Sequence, residues 1–386
     1  MRPRLFINFK FFFLSKGIDK LLGNQDRCQR PIAMLRKNID KVILIDHPDI
    51  RAVTDWHIKN NFMNKDQFLW IEVKKWDDSD VEKKIIKKIK KHYNNKKASF
   101  IIHQLTNNTI KVIQQIINKN GGRISKDFLY PKKNCLYKTV TGLKPDYYIG
   151  NLVSAVKGFW CRNKDELKKA YQLLKKKGVE RMLIKPIGTS AGNGIEKADN
   201  MKDIEKYDFE FGDVVLEERK ELYKILPAAH FKGRKQVYGV NAQLLLGNAF
   251  DGITNAKRIR REILDKCKKI LRIITEKFNL KSFWGVDFLV DKNKNVYLND
   301  INAGRLNGSH PPKYFIKNNF GNKKTKFVAY NIVMYKPLKY ELAKDPYDRI
   351  KKRKGYKILK VPLVYNRNNH RAFKKKKSRF LIIQYK

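Results

Sequence analysis

Apolar positions in the first third of the chain follow two rhythms. Residues 41–46 (KVILID), 68–73 (FLWIEV) and 99–103 (SFIIH) are short runs rich in β-branched and aromatic residues, the pattern of buried strands. Residues 81–94 instead place Val81, Ile85, Ile86, Ile89 and Tyr93 at helical spacing with lysines opposite, which predicts a helix with one solvated face. A further helix is predicted over 108–120, stopped by Gly121 and Gly122. Strands alternating with helices imply a small parallel sheet covered by helices.

A second block opens near Tyr130. Residues 163–177 (NKDELKKAYQLLKKK) predict a helix capped by Asn163 and ended by Gly178. Strands are predicted at 181–186 (RMLIKP), 213–217 (DVVLE) and 236–246 (QVYGVNAQLLL), then a long helix at 258–278. Two closing strands, 284–290 and 296–302, are joined by the polar turn 291–295. After Tyr335 the pattern decays into lysine-rich sequence with short apolar islands, expected as a basic tail or an extension peculiar to this chain. The expected organisation is α/β throughout: a domain over 1–129, two lobes over 130–212 and 213–335, and the tail over 336–386, with no internal repeat.

Composition narrows the class. A chain of 386 residues is long enough for two or three domains, and 42% hydrophobic with 12% aromatic content argues against general disorder. The longest apolar stretch, 5–14 (LFINFKFFFL), is broken by Asn8 and Lys10, far short of the roughly 18 residues of a membrane helix. Arg2 and Arg4 ahead of it imitate a signal peptide, but Lys10 interrupts the core and no small-residue cleavage site follows. The four cysteines (Cys28, Cys135, Cys161, Cys267) lie far apart and form no CxxC pair. Reduced structural thiols in the cytoplasm are therefore expected.

Charge is the loudest feature. Lys and Arg number 86 against 37 Asp and Glu, a net +49, and residues 351–386 hold 14 basic side chains and no acid. Such a field favours nucleic acid, an anionic surface or acidic substrates. The excess, however, is mostly Lys accompanied by many Asn, Ile, Phe and Tyr, residues that an AT-rich coding sequence supplies by itself. No nucleic-acid motif of interleaved aromatics and lysines is present.

Two constellations could carry chemistry. Residues 188–194 (GTSAGNG) follow a strand that ends in Lys185-Pro186. Gly188, Gly192 and Gly194 would let the backbone approach phosphates, Thr189 and Ser190 would add hydroxyl donors, and Lys185 would add a point charge. The run is neither a Walker loop nor a GxGxxG dinucleotide loop, and a glycine-rich turn by itself is usually only a turn. The second constellation is Asp287, Asp300 and Asn302 on the closing hairpin. Asp300 and Asn302 are two apart and share a face, and the turn brings Asp287 opposite Asp300 to within a residue. Oxygen ligands inside apolar strands need a compensating charge, which a hard cation such as Mg²⁺ would supply. The plainer alternative has Asp287 bonding nearby backbone and Asp300 ending its strand. Between the two, the strand 214–218 (VVLEE) could offer backbone groups to an adenine near Glu217 and Glu218, with Glu221 on the ribose. Surface acids capping a strand read equally well.

The order of these features, a strand ending in Lys-Pro, then GxxxGxG, then Val-Val-Leu-Glu, then Gly-Val-Asp-Phe and Asp-x-Asn, resembles the ATP-grasp superfamily from about residue 138 to 312. The run 243–247 (QLLLG) before a long helix and 307–311 (NGSHP) after the last strand are similar to the pheganomycin-type peptide ligases, which carry a pre-ATP-grasp α/β domain ahead of the catalytic lobes. The resemblance implies that Lys185, and Lys138 as a second lysine, bind the phosphates of ATP. It likewise implies that Asp287, Asp300 and Asn302 hold Mg²⁺ and that Arg305 steadies the transferred phosphoryl group. Two departures stand out: the family's usual Glu is Asp300, and Gly304 displaces Arg305 by one residue.

The implied activity is ATP-dependent carboxylate–amine ligation through an acyl phosphate, with ADP and phosphate released. Small-molecule or peptide substrates are expected, acidic peptides among them. His310 is a candidate relay for the amine's proton, although a lone His in Gly-Ser-His-Pro is more often structural. The rival readings are a catalytically degenerate ATP-grasp protein and a basic nucleic-acid-binding protein.

Overall fold

The computed structural model describes residues 4–8, 29, 31–73, 77–93, 99–103, 114–115, 135–145, 148–187, 194–209, 212–223, 226–246, 249–255, 258–278, 280, 283–302, 310–321, 326–333, 357–364 and 377–385. The chain divides into two compact units. One joins Met1–Phe128, Gly252–Ala256 and Gly304–Lys386, and the other joins Leu129–Asp251 and Lys257–Ala303.

The first unit begins with a parallel sheet of β1 (Arg4–Asn8), β2 (Lys41–Ile45), β3 (Phe68–Ile71) and β4 (Ser99–His103), in the order β3-β2-β1-β4. The run with the look of a signal peptide therefore opens as an inner strand, with Leu5, Phe6 and Ile7 fully buried between two neighbours. Helix α1 (Pro48–Lys59) starts on a proline behind the His47 cap, and α2 (Asp78–Tyr93) buries Val81, Ile85 and Ile89. The expected helix at 108–120 lies outside the described residues except for 114–115, which are helical.

The second unit holds two antiparallel sheets. In one, β5 (Gly158–Cys161), β6 (Met182–Pro186), β7 (Glu196–Lys197) and β8 (Val214–Glu218) run in the order β5-β8-β6-β7. Its apolar face packs on α3 (Lys164–Lys176) and α4 (Met201–Lys206) through Phe159, Leu167, Leu174, Ile184, Ile204 and Leu216. In the other, β9 (Leu226–Lys232), β10 (Lys235–Leu246), β12 (Phe283–Val290) and β13 (Val296–Asn302) run in the order β13-β12-β9-β10. Residues Phe231, Trp284, Val286 and Phe288 of this sheet share a core with Ile263, Cys267 and Ile274 of α5 (Arg261–Lys277). Strict alternation puts Ala228, His230, Gly285 and Asp287 on the other face.

The chain then returns to the first unit, where β11 (Ala249–Thr254) pairs with β14 (Lys326–Val333) through Gly252–Thr254. Helix α6 (His310–Phe320) sends Asn318 Nδ2 to the carbonyls of Met34 and Leu35. The stretch expected as a basic tail contains two long strands, β15 (Lys357–Val364) and β16 (Lys377–Tyr385), with β16 paired to both β14 and β15. Their apolar islands are buried at Val361, Leu381 and Ile383, and β15 lies against α1. The lysine-rich sequence around them hides such strands from a reading by composition. Among the described residues no helix is long and apolar enough to cross a membrane.

Candidate functional site

Lys185 sits near the end of β6, opposite Val215 of β8, while Glu217 of β8 lies between Leu183 of β6 and Gly158 of β5. Lys185 and Glu217 thus leave the same face of the sheet, diagonally disposed. The Lys185 ammonium donates to Glu217 Oε1 at 3.0 Å and to Asn299 Oδ1 at 2.9 Å. Glu217 is only 2% exposed. Its second oxygen accepts from the Tyr137 hydroxyl at 2.9 Å. Burial, with Glu217 beside it, pushes the Tyr137 hydroxyl pKa well up, so this donor keeps its proton. A buried carboxylate shared between an ammonium and a phenol is fully satisfied, which a lone buried charge is not.

The hairpin β12–β13 is set by its turn. Asn295 N and Nδ2 donate to Asp291, Tyr297 adds its hydroxyl, and Lys294 takes φ +63°. Burial works against the Asp291 carboxylate, but these donors hold its pKa below the usual range. From that turn the ladder runs regularly to Phe288 opposite Leu298 and then shifts, so that Asp287 faces Asp300 and Gly285 faces Asn302. The extra residue is Asn299. A bulge of this kind frees one side chain from alternation, and this one reaches Lys185. Asp287 Oδ1 accepts from Gln243 at 2.9 Å and Oδ2 from Asn302 at 2.7 Å. Asp300 is exposed, and its charge helps burial raise the Cys135 thiol to about 12.

Asn302 bears most directly on a cation. Its Nδ2 is used on Asp287, while its Oδ1 is buried with no hydrogen-bond partner among the described residues. Among the described residues no group of three His, Cys, Asp or Glu side chains is placed to hold a metal ion. A hard cation here would rest on two carboxylates and this amide oxygen, a donor set of the type Mg²⁺ accepts. The residues present fit it.

The other expected residues are placed as follows. Glu218 pairs with Lys220 at 2.5 Å through Oε1, and its Oε2 is buried without a partner among the described residues. Glu221 is exposed between Lys292 and Arg181, which lower its pKa in that order. Lys138 is exposed, and its carbonyl accepts from Trp160 N. Gly194 adopts φ +73° at the end of the glycine-rich run, whereas Gly188, Thr189, Ser190 and Gly192 lie outside the described residues, as does Arg305. His310 belongs to the first unit, where it is fully buried at the start of α6. Sequence reasoning missed Tyr137, Gln243 and Asn299 as members of the site. The one signal available was an uncompensated polar residue, Asn299, inside an apolar strand.

No protein-family profile and no curated protein sequence matches the chain. Solved structures do. The N5-carboxyaminoimidazole synthase of Aspergillus clavatus, in complex with ADP and 5-aminoimidazole ribonucleotide, aligns over 100% of this chain and 94% of its own at 12% identity, with a TM-score of 0.58. The N5-carboxyaminoimidazole ribonucleotide synthetase of Thermotoga maritima aligns over 99% and 94% at 13% identity, with a TM-score of 0.52. The biotin carboxylase domain of the 2-oxoglutarate carboxylase of Hydrogenobacter thermophilus, solved with MgADP and bicarbonate, aligns over 100% and 86% at 13% identity, with a TM-score of 0.53. At these identities the likeness is one of architecture, and the architecture they share with this chain is the ATP-grasp fold, here with its N-terminal α/β domain.

Proposed function

We propose that the protein is an ATP-dependent carboxylate–amine ligase that releases ADP and phosphate. The observation that carries the reading is the joining of two elements by one bulge. Asn299 ties Lys185, next to the glycine-rich run, to the strand that bears Asn302 and, opposite Asp287, Asp300. Binding of ADP, ATP or MgADP by the solved relatives supports the same ligands here.

A carboxylate is a poor electrophile because its leaving group would be oxide. In the proposed reaction a carboxylate oxygen attacks the γ-phosphorus of ATP, the bond to the β-phosphate oxygen breaks, and ADP leaves. The amine then attacks the carbonyl carbon of the acyl phosphate, phosphate departs with the bond electrons, and the amine's proton passes to a base. Lys185 and Arg305 would neutralise phosphate charge, with Lys138 as the second lysine, and Gly188, Thr189, Ser190, Gly192 and Gly194 would wrap the phosphates and exclude water. Glu221 would bond the ribose next to the adenine-facing strand of Glu217 and Glu218. Asp287, Asp300 and Asn302 would hold Mg²⁺, which lowers the charge on the phosphates when bound. The runs 243–247 and 307–311 favour peptide-type substrates, and the net charge of +49 favours acidic ones.

The test is Mg²⁺-dependent release of ADP from ATP with pooled amino acids and short peptides, in wild type and in Asp300→Ala. Release that requires both a pool and Asp300 is the expected result. ATP binding without turnover in any pool would leave a nucleotide-binding protein, and absence of ATP binding would refute the reading.

A further inference from the structure

The ammonium of Lys185 hangs on a flexible four-carbon stem, so its usefulness to a phosphate depends on what holds it still. Glu217 can hold it only if the carboxylate is itself fixed. Gly158, the β5 partner of Glu217, is where that fixing begins. A Cβ at position 158 would lie 2.8 Å from a ring carbon of Tyr137, 2.8 Å from the carbonyl oxygen of Leu216 and 3.1 Å from the Glu217 Cβ. The glycine therefore lets the Tyr137 ring come down onto the sheet, and from there its hydroxyl reaches Glu217 Oε2 at 2.9 Å. The other oxygen, Oε1, then faces Lys185 at 3.0 Å. Asn299 takes a second ammonium proton at 2.9 Å. An ammonium has three N–H donors, so among the described residues one is left to meet a phosphate oxygen.

We infer that Tyr137, seated on Gly158, is a positioning residue for Lys185, acting through Glu217 to aim the ammonium before any nucleotide arrives. The inference rests on the proposed role of Lys185 toward nucleotide phosphates. Tyr137 touches no reacting atom in it. Because a phenol donor cannot be mimicked by a hydrocarbon ring of the same shape, Tyr137→Phe isolates the effect.

Two measurements test it. Calorimetric titration with MgADP is expected to give about tenfold weaker binding for Tyr137→Phe, the usual weight of a hydrogen bond to a buried charged group. In the Lys185→Met background the same substitution is expected to change binding less than twofold. Separately, in ligand-free protein, the Lys185 amine is expected to react several-fold faster with an acetylating reagent in Tyr137→Phe than in wild type, read by peptide mass spectrometry. Equal MgADP affinity and equal labelling in the two proteins would overturn the inference. So would a loss of affinity that persists in the Lys185→Met background, or a lower thermal midpoint with unchanged labelling, since a merely structural hydroxyl would give either. If wild type itself does not bind MgADP, the ligase reading falls, and the labelling rate alone decides whether Tyr137 positions Lys185.

Discussion

Around Lys185 the polar groups are matched to one another before any ligand is present. Glu217 has an ammonium on one oxygen and a phenol on the other, and Lys185 has two acceptors. On the hairpin beside it the matching is incomplete. Asp287 receives two amide donors, yet Asn302 Oδ1 is buried without a partner among the described residues. Among the described residues the first region pairs its central carboxylate within the protein; the second leaves an amide oxygen without a partner where a cation is proposed. The difference separates what a substitution costs in stability from what it costs in binding.

The largest effect is expected where both costs coincide. Lys185→Ala strands Glu217 in a site where it is 2% exposed, with Tyr137 as its remaining described partner. Removing one member of a buried ion pair costs about 3 kcal/mol, discounted somewhat because Lys185 keeps 22% side-chain exposure. Urea denaturation should show that loss, and calorimetry should show MgADP affinity falling by two orders of magnitude or more, about 3 kcal/mol.

A second orphan, in the other unit, sharpens the contrast. His57 is fully buried among Trp56, Phe62 and Phe315; among the described residues its Nδ1 has no partner, and its Nε2 lies 3.4 Å from the Pro362 carbonyl. Burial there lowers its pKa from 6.5 to about 4. The unfolded chain then binds a proton between these values that the folded chain refuses. Stability is intact above pH 6.5 and declines by about 3 kcal/mol as pH falls to 4. A denaturation series across that window should show the decline, and His57→Leu should flatten it. An orphan in an aromatic pocket is thus expected to repel charge, whereas the orphan beside Asp287 is expected to attract it.

The smallest stability change belongs to Asp300→Ala. The side chain is exposed, so unfolding free energy should move by no more than about 0.5 kcal/mol. The same variant should nonetheless lack the rise in thermal midpoint that Mg²⁺ and ADP together are expected to give wild type. A large loss of stability in the apo variant would place Asp300 among the finished structure instead.

Most strands around the site were legible, because 181–186, 284–290 and 296–302 are apolar runs bounded by turn residues, and the hairpin turn carried its own signal in Asp291 and Asn295. Three features were not. The run at 5–14 mixes a strand with further apolar sequence, so its inner position at Arg4–Asn8 had no visible boundary. Alternation gives no sign that Asn299 is an extra residue facing Lys185, which follows only from the register shift and the bond it makes. Tyr137 is found through the missing Cβ of Gly158, a contact between residues far apart in sequence that no local pattern announces.

Losing a residue ordinarily throws a strand out of phase, yet at Asn299 it would do the reverse. With Phe288 opposite Leu298, a strand without the extra residue runs on regularly and still sets Asp300 across from Asp287. The hairpin thus carries a removable spacer. A descendant that lost it would retain the acids while the lysine lost its amide tether, so the two halves proposed to face the nucleotide can be acquired, tuned or discarded one at a time.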